Sequence, residues 1–215
     1  MACHYLLEKM RLADITKAYI VIREGKWDIP AYLRDGSLVD MHLGYFIVGP
    51  TAGPPYTLDE AYPFVRDAVV AFGFPDILFE GDNAFRLLLA QQASRDAEIV
   101  LGLFPANRPE KMDMVGIDKN GRVTELVIQP PETRLQYSWD AAVWMPAFTE
   151  FMHTFLAAQK TLGPNQPELS VGHVIQAAIH AGMRAEAVII SDQPYCDIGT
   201  QEGLSQAIRR FAAHD

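Results

Sequence analysis

Along most of its length the chain alternates short apolar runs with segments of helical periodicity, and this alternation restricts it to a layered α/β fold. Apolar runs at Ala18 to Ile22, Tyr45 to Val48, Ala68 to Phe72, Ile77 to Phe79, Ile99 to Phe104, Met112 to Asp118, Arg122 to Ile128, Ala141 to Met145 and Ala187 to Ile190 read as strands. Between and around them, Tyr5 to Leu12, Leu58 to Val65, Ala84 to Ala93, Ala147 to Gln159, Val171 to Ala181 and Gln201 to Ala213 carry helical spacing. The segments GPTAGPP (residues 49–55) and GPNQP (163–167) read as loops, because Gly and Pro fix backbone angles that regular elements reject. Asn-Gly inside KNGRV (119–123) predicts an antiparallel hairpin. No repeat, low-complexity tract or linker divides the pattern. The expectation is one domain over residues 1–215, a three-layer α/β/α arrangement on a Rossmann-like mixed, mostly parallel sheet.

Composition narrows the function classes. At 215 residues, with 49% apolar and 21% charged side chains, the chain can bury a core without disulfides or structural metal. A formal charge of −9 opposes attraction to nucleic-acid phosphates or anionic lipid, so neither a nucleic acid nor a membrane is expected as a partner. No apolar run reaches the roughly 20 residues that cross a bilayer, and MACHYLLEKMRLA mixes charges into too short an apolar stretch for a signal peptide. A cytoplasmic protein is expected. Cys3 and Cys196 have no metal-binding spacing and read as free thiols.

Two acids stand where an α/β sheet places ligands. In DILFEGDN (76–83) an apolar strand runs into Gly81, Asp82 and Asn83 before a helix, and ligands of open α/β sheets sit beyond the carboxyl ends of strands. Asp82 is therefore a candidate cation ligand, against the simpler alternative that Asp82 or Asn83 caps the helix. In YCDIGT (195–200) Asp197 stands between a strand and the last helix, against the alternative of a turn residue with Thr200 as cap. Two such acids would suit Mg²⁺, which takes one or two carboxylates together with substrate phosphates. His173 and His180, seven apart on one helical face, have no accompanying ligand pattern and read as surface or core-edge residues. GPTAGPP lacks the Lys-Ser/Thr ending of a Walker loop, and neither GxGxxG nor GxSxG occurs. Tyr137, Trp139 and Trp144 read as strand packing.

Taken in order, the segments resemble the sugar-1-phosphate nucleotidyltransferases, the family of glucose-1-phosphate thymidylyltransferases and uridylyltransferases. HYLLEKMRLADITKAYIVI is similar to the helix and strand that follow the family's signature loop. PYTLDEA (55–61) stands at its nucleotide-contacting segment, FEGDN (79–83) at its Gly-Asp-Asn, VGIDKNGRVTELVIQPP at its hairpin ending in Glu-Lys-Pro, and CDIGT (196–200) at its Asp-x-Gly-Thr. The resemblance covers nearly the whole chain and implies the nucleotide-diphospho-sugar transferase fold. It implies Asp82 and Asp197 as catalytic residues sharing one Mg²⁺, and Glu60, Gly81, Asn83 and Gln129 as nucleotide or substrate contacts. A nucleoside triphosphate and a sugar-1-phosphate would be the partners, with NDP-sugar and pyrophosphate as products, and homo-oligomerisation is compatible with the family.

The departures are as specific as the matches. The resemblance places a glycine-rich phosphate-holding loop ahead of HYLLEKM, where three residues stand. Ile128 and Gln129 occupy the Glu and Lys positions of Glu-Lys-Pro, so a fixed positive charge becomes a neutral amide. Glu60 replaces a glutamine, and Gly172 and His173 replace a common Thr-Asp. Two expectations therefore stand side by side, an enzyme and a non-catalytic nucleotide or nucleotide-sugar binding or regulatory relative. A glycosyltransferase-like binder is the third; an Asp-x-Asp pair would mark it, and Asp113 in MDM has no such partner.

Overall fold

The computed structural model describes residues 1–160 and 168–211. The GPNQP loop and the final residues of the predicted helix Gln201 to Ala213 lie outside the described residues. In chain order the elements are α1 (Ala2–Arg11), β1 (Lys17–Arg23), α2 (Asp28–Leu33), β2 (His42–Val48), α3 (Pro54–Asp59), α4 (Tyr62–Val65), β3 (Val70–Gly73), β4 (Ile77–Leu78), α5 (Ala84–Arg95), β5 (Ile99–Pro105), β6 (Asp113–Ile117), β7 (Val123–Ile128), β8 (Tyr137–Trp144), α6 (Pro146–Lys160), α7 (Val171–His180), β9 (Ala185–Ile189), β10 (Cys196–Asp197) and α8 (Gln201–Phe211).

The central sheet has six strands in the order β7-β6-β8-β5-β9, with β3 also pairing β8. Strand β8 runs antiparallel to β3, β5 and β6, while β9 runs parallel to β5, so β3, β5, β6 and β9 share one direction. The mixed sheet expected from the alternation is present, reversed only at β8 and β7. Alternate residues of one strand point to opposite faces. On β5, Ile99 and Leu101 enter a core with Phe148, Met152 and Leu156 of α6 and Val174 and Ile175 of α7. Val100, from the same strand, enters the opposite core with Leu6 and Leu7 of α1 and Phe85 and Leu88 of α5. Both faces of the strand are thus dry, which is why it reads as an unbroken apolar run.

Local chemistry explains where the elements begin and end. The hairpin forms at KNGRV: Asp118 Oδ1 accepts from the amides of Asn120 (2.8 Å) and Arg122 (3.0 Å), Gly121 takes φ +86°, and β6 and β7 pair antiparallel. The single helix expected from Leu58 to Val65 is instead two, α3 and α4. Pro63 has no N–H to donate to the preceding turn, so the helix restarts at Tyr62. Helix α2 was not expected, its DIPAYL being too short to show a period. Ser170 caps α7 in a reciprocal capping box with His173, which gives that histidine a structural task.

Strands β1 and β2 form a separate parallel pair over seven residues each, Lys17 opposite His42 through Arg23 opposite Val48. A third, short pair joins β4 and β10 antiparallel, with Leu78 opposite Cys196 and Ile77 opposite Asp197. That pair sets the geometry of the candidate site. Among the described residues no helix is long and apolar enough to cross a membrane.

Candidate functional site

The site is assembled around β4, whose next residue, Phe79, is buried against Phe104 with ring centroids 5.0 Å apart. This anchor makes Glu80 to Asn83 emerge as a loop ahead of α5. Gly81 holds φ +107°, in the region that favours glycine, and a Cβ there would press on Ile190 at 3.0 Å. Neither acid nor amide of the loop caps the helix: Asn83 stands at the N-cap without a side-chain cap bond. Asp82 is turned to Lys9, whose ammonium lies 2.8 Å from Oδ1. Lys9 is itself 12% exposed and sits over the Phe79 ring at 5.2 Å, so a cation is held inside while its partner carboxylate, 83% exposed, faces water. Lys9, Gly81 and Asp82 line a cavity of about 350 Å³ with Tyr5, Leu6 and Phe211.

At the paired strand, Asp197 Oδ1 accepts from the Gly199 amide (2.9 Å), and Thr200 Oγ1 accepts from the Gly203 amide (3.1 Å), capping α8. The capping role weighed for Thr200 is therefore realised, and Asp197 turns the chain into it. The strand register brings a different acid to Asp197. A Cβ on Gly199 would stand 3.1 Å from Asp197 Oδ1 and 3.2 Å from Asp76 Oδ2, so the two carboxylates flank the same glycine.

Behind them lies Asp140, in the middle of β8, 3% exposed and with Oδ2 lacking any hydrogen-bond partner. Burial raises its pKa well above the carboxylate range, and Asp76 and then Asp197 raise it further. Asp76, though it reaches solvent, is also shifted up, by the protein packed around it and by Asp197. Tyr195, next to the paired strand, is raised by burial and then by Asp140. Asp76 and Asp140 thus form one electrostatic unit with Asp197, whose charge disfavours ionisation of both, as that of Asp76 does for Asp140.

The predicted residues fall in different parts of this arrangement. Gly81 and Asp82 line the cavity beside Lys9, with Asn83 exposed at its edge. Asp197 stands beside Asp76, and its contacts and those of Asp82 have no partner in common. Glu60 is exposed at the C-cap of α3. Gln129 is exposed just past the end of β7 with φ +44°, its backbone N–H donating to the Met112 carbonyl at 3.1 Å. Among the described residues no three His, Cys, Asp or Glu side chains are grouped to hold a metal ion. Sequence reasoning missed Asp76, Asp140 and Lys9. Asp140 did carry a signal, a charge inside the apolar run WDAAVWM.

A family model described as nucleotidyl transferase matches residues 3–214. The low-salt glycan biosynthesis nucleotidyltransferase Agl11 of Haloferax volcanii is 23% identical over 210 residues, covering 94% of this chain and 55% of that protein. The chain thus spans about half the length of this curated relative. Among solved structures, a putative glucose-1-phosphate thymidylyltransferase from Bacillus anthracis, in complex with a sucrose, superposes with a TM-score of 0.81 at 18% identity, over 96% of this chain and 80% of that one. A UDP-glucose pyrophosphorylase complexed with UDP-glucose superposes at 0.80 and 12% identity, over 99% and 86%. At these identities the superpositions establish a common fold.

Proposed function

This chain belongs to the nucleotidyl transferase family, and from that membership we propose that it joins a nucleoside triphosphate to a sugar-1-phosphate, giving an NDP-sugar and pyrophosphate. The printed activities of its relatives, glycan biosynthesis, thymidylyl transfer to glucose-1-phosphate and UDP-glucose pyrophosphorolysis, support a sugar phosphate as acceptor. We take residues 1–215 as one nucleotidyltransferase-like domain. Phosphorylated substrates and two buried free thiols fit a cytoplasmic setting.

The observation that carries the reading is Asp197 beside Asp76, with the unpartnered Asp140 oxygen behind them. Carboxylates gathered this way are relieved by a proton or by a cation, and two of them suit Mg²⁺, which leaves its remaining positions to water and phosphate. In the proposed site Asp197 and the Asp76 beside it hold the cation, and Asp82, the second ligand expected from the sequence, is held by Lys9 and would join them only on leaving it. The Asp82–Lys9 pair is exposed on the carboxylate side, and such pairs are worth about 1 kcal/mol or less, so substrate can exchange it cheaply. When bound, the cation would neutralise phosphate charge. The chain's own residues would do the rest. Gly81 lets backbone approach the nucleotide, Lys9 offers its ammonium to a phosphate once Asp82 turns away, and Glu60, Asn83 and Gln129 contact substrate by hydrogen bonds. The reaction itself is an in-line displacement: a sugar-phosphate oxygen bonds to the α-phosphorus, and the bond to the β-phosphate oxygen breaks to release pyrophosphate. Positioning and charge complementarity supply its catalysis.

The test is pyrophosphate release across nucleoside triphosphates and sugar-1-phosphates, with and without Mg²⁺. Asp197→Asn is expected to lower kcat/KM on the order of 10²-fold or more, as removal of a transition-state charge contact does, and Asp76→Asn to raise the Mg²⁺ concentration needed for half-maximal rate. If Asp82→Asn rather than Asp76→Asn moves that requirement, the second ligand is Asp82. Mg²⁺-dependent nucleotide binding without pyrophosphate from any pair would assign the non-catalytic reading, which the neutral Gln129 favours.

A further inference from the structure

Strand β8 is paired along one edge by β5 from Tyr137 to Trp144, so β3 and β6 share its other edge. There β3 ends with Gly73 opposite Ala141, and β6 pairs from Met114 opposite Ser138, which leaves Trp139 and Asp140 facing a break between the two strands. The break is a crevice at the carboxyl end of β3, where open α/β sheets bind ligands. On its β3 side stands Asp76, beside Asp197; on its β6 side stands Asp113, the first residue of that strand. Tyr195, whose pKa is raised by burial and then by Asp140, is raised also by Asp113 and Asp197. Asp113 therefore lies within electrostatic reach of the proposed cation site, and the function derived above gives it no task.

Asp113 is half-buried, and burial raises its pKa against the lowering effect of the Ser170 hydroxyl and of His173. Its Oδ2 accepts from Ser170 Oγ at 3.3 Å, while Oδ1 has no hydrogen-bond partner among the described residues. His173 is committed elsewhere: its Nδ1 accepts from the Ser170 amide at 3.0 Å, which only an unprotonated ring nitrogen can do. The carboxylate also needs room, and Gly172 gives it. A Cβ at that position would stand 2.3 Å from Asp113 Oδ2 and 2.8 Å from Ile128 Cδ1. Gly172 is not among the glycines with positive φ, so the position uses the missing side chain and not the freedom of the backbone. Across the hairpin, Gln129 is tied beside Asp113 by its backbone N–H on the Met112 carbonyl. The β6 side of the crevice thus presents an acid with one oxygen to spare and a neutral amide.

We propose that Asp113 selects the acceptor, and that this acceptor is an amino sugar-1-phosphate, with a protonated amine in place of one ring hydroxyl. The inference rests on the transferase reading for where the sugar lies. Helix α3, which carries the nucleotide contact Glu60 at its end, packs beside β3, Leu58 and Asp59 lining one cavity with Val70 to Phe74. With the nucleotide on that side, the sugar takes the β6 side, next to Gln129. An ammonium there brings Asp113 its counter-charge through a charge-assisted hydrogen bond to Oδ1, which a hydroxyl does not. The phosphate of the same sugar stays with the cation at Asp76 and Asp197, so the two charges of the acceptor meet separate partners. A carboxylate also favours the amino end of α7, but that role is indifferent to whether the sugar bears an amine or a hydroxyl.

The experiment titrates the full chain, in the presence of Mg²⁺, with glucose-1-phosphate and its 2-amino, 3-amino and 4-amino deoxy analogues by calorimetry, and follows pyrophosphate release with each in parallel. At least one amino sugar is expected to bind about tenfold or more tightly than glucose-1-phosphate, as a charge-assisted contact does over a neutral one. The N-acetyl derivative of that sugar, which has lost the charge, should lose the advantage. Asp113→Asn keeps an oxygen to accept from Ser170 and should bring amine and hydroxyl within about twofold of each other. Ser170→Ala removes the cap, leaves the charge and should keep the preference. Amine preference without pyrophosphate from any pair would leave the acceptor class standing and remove the transfer reading. Pyrophosphate from glucose-1-phosphate with no amino sugar preferred would keep transfer and overturn the acceptor class. Binding of none of these sugars, a preference that survives Asp113→Asn, or one lost equally in Ser170→Ala would also overturn the proposal.

Discussion

Asp140 sits in a strand whose neighbours are Trp139, Ala141 and Ala142, all buried. Its raised pKa has a definite sign in stability. The folded chain binds a proton there more tightly than the unfolded chain does, so the contribution is present in full below the ordinary carboxylate pKa near 4 and declines as pH rises above it. Denaturant melts from pH 4 to 8 should show the wild type losing stability relative to Asp140→Asn, by up to about 1.4 kcal/mol per pH unit where one proton differs between the states. Parallel curves for the two proteins would mean that Asp140 titrates normally. At α7, Ser170→Ala removes a cap bond from the His173 amide and should lower stability by about 1 kcal/mol, read from the same melts.

At the scale of elements, the tightest junction joins α8 to β10. Gly203 faces the Asp197 carbonyl so closely that a Cβ there would overlap it. Gly203→Ala should therefore push α8 away from the paired strand, costing about 1 to 3 kcal/mol and altering Mg²⁺ dependence together with stability, measured by melting and by nucleotide binding. Elements were mostly legible in the sequence where one short-range rule governed them. The Asn-Gly hairpin, the doubly buried β5 and the helix α7 all follow from local spacing. The split of α3 from α4 is also written there, in Pro63, beneath the helical period that runs across it. What pairs with what was not legible. That β4 meets β10, so that Asp76 and not Asp82 flanks Gly199 with Asp197, depends on register between segments more than 110 positions apart, and no local pattern encodes register. Asp76 stands just ahead of the strand read at Ile77 to Phe79, and only the fold makes it a neighbour of an active-site candidate.

Over the whole molecule, the two apolar clusters on opposite faces of the sheet account for why it holds together as layers. Leu101, fully buried in one cluster, should cost about 2 to 5 kcal/mol on truncation to alanine, a loss visible in the melting midpoint. The net charge of −9 adds a solution property: nucleotide association should accelerate with added salt, since the substrate and the protein repel at long range. Stopped-flow measurement of nucleotide binding from low to physiological ionic strength reads this directly.

Arg210, near the end of α8, donates to Glu80 at 2.6 Å and to the Pro194 carbonyl at 2.6 Å, stitching the last helix to the two stretches that carry Asp82 and Asp197. A guanidinium fastened to both sides of a cleft behaves as a clasp. Whatever loosens the C-terminal helix will therefore be felt as a change in substrate grip before it is felt as unfolding.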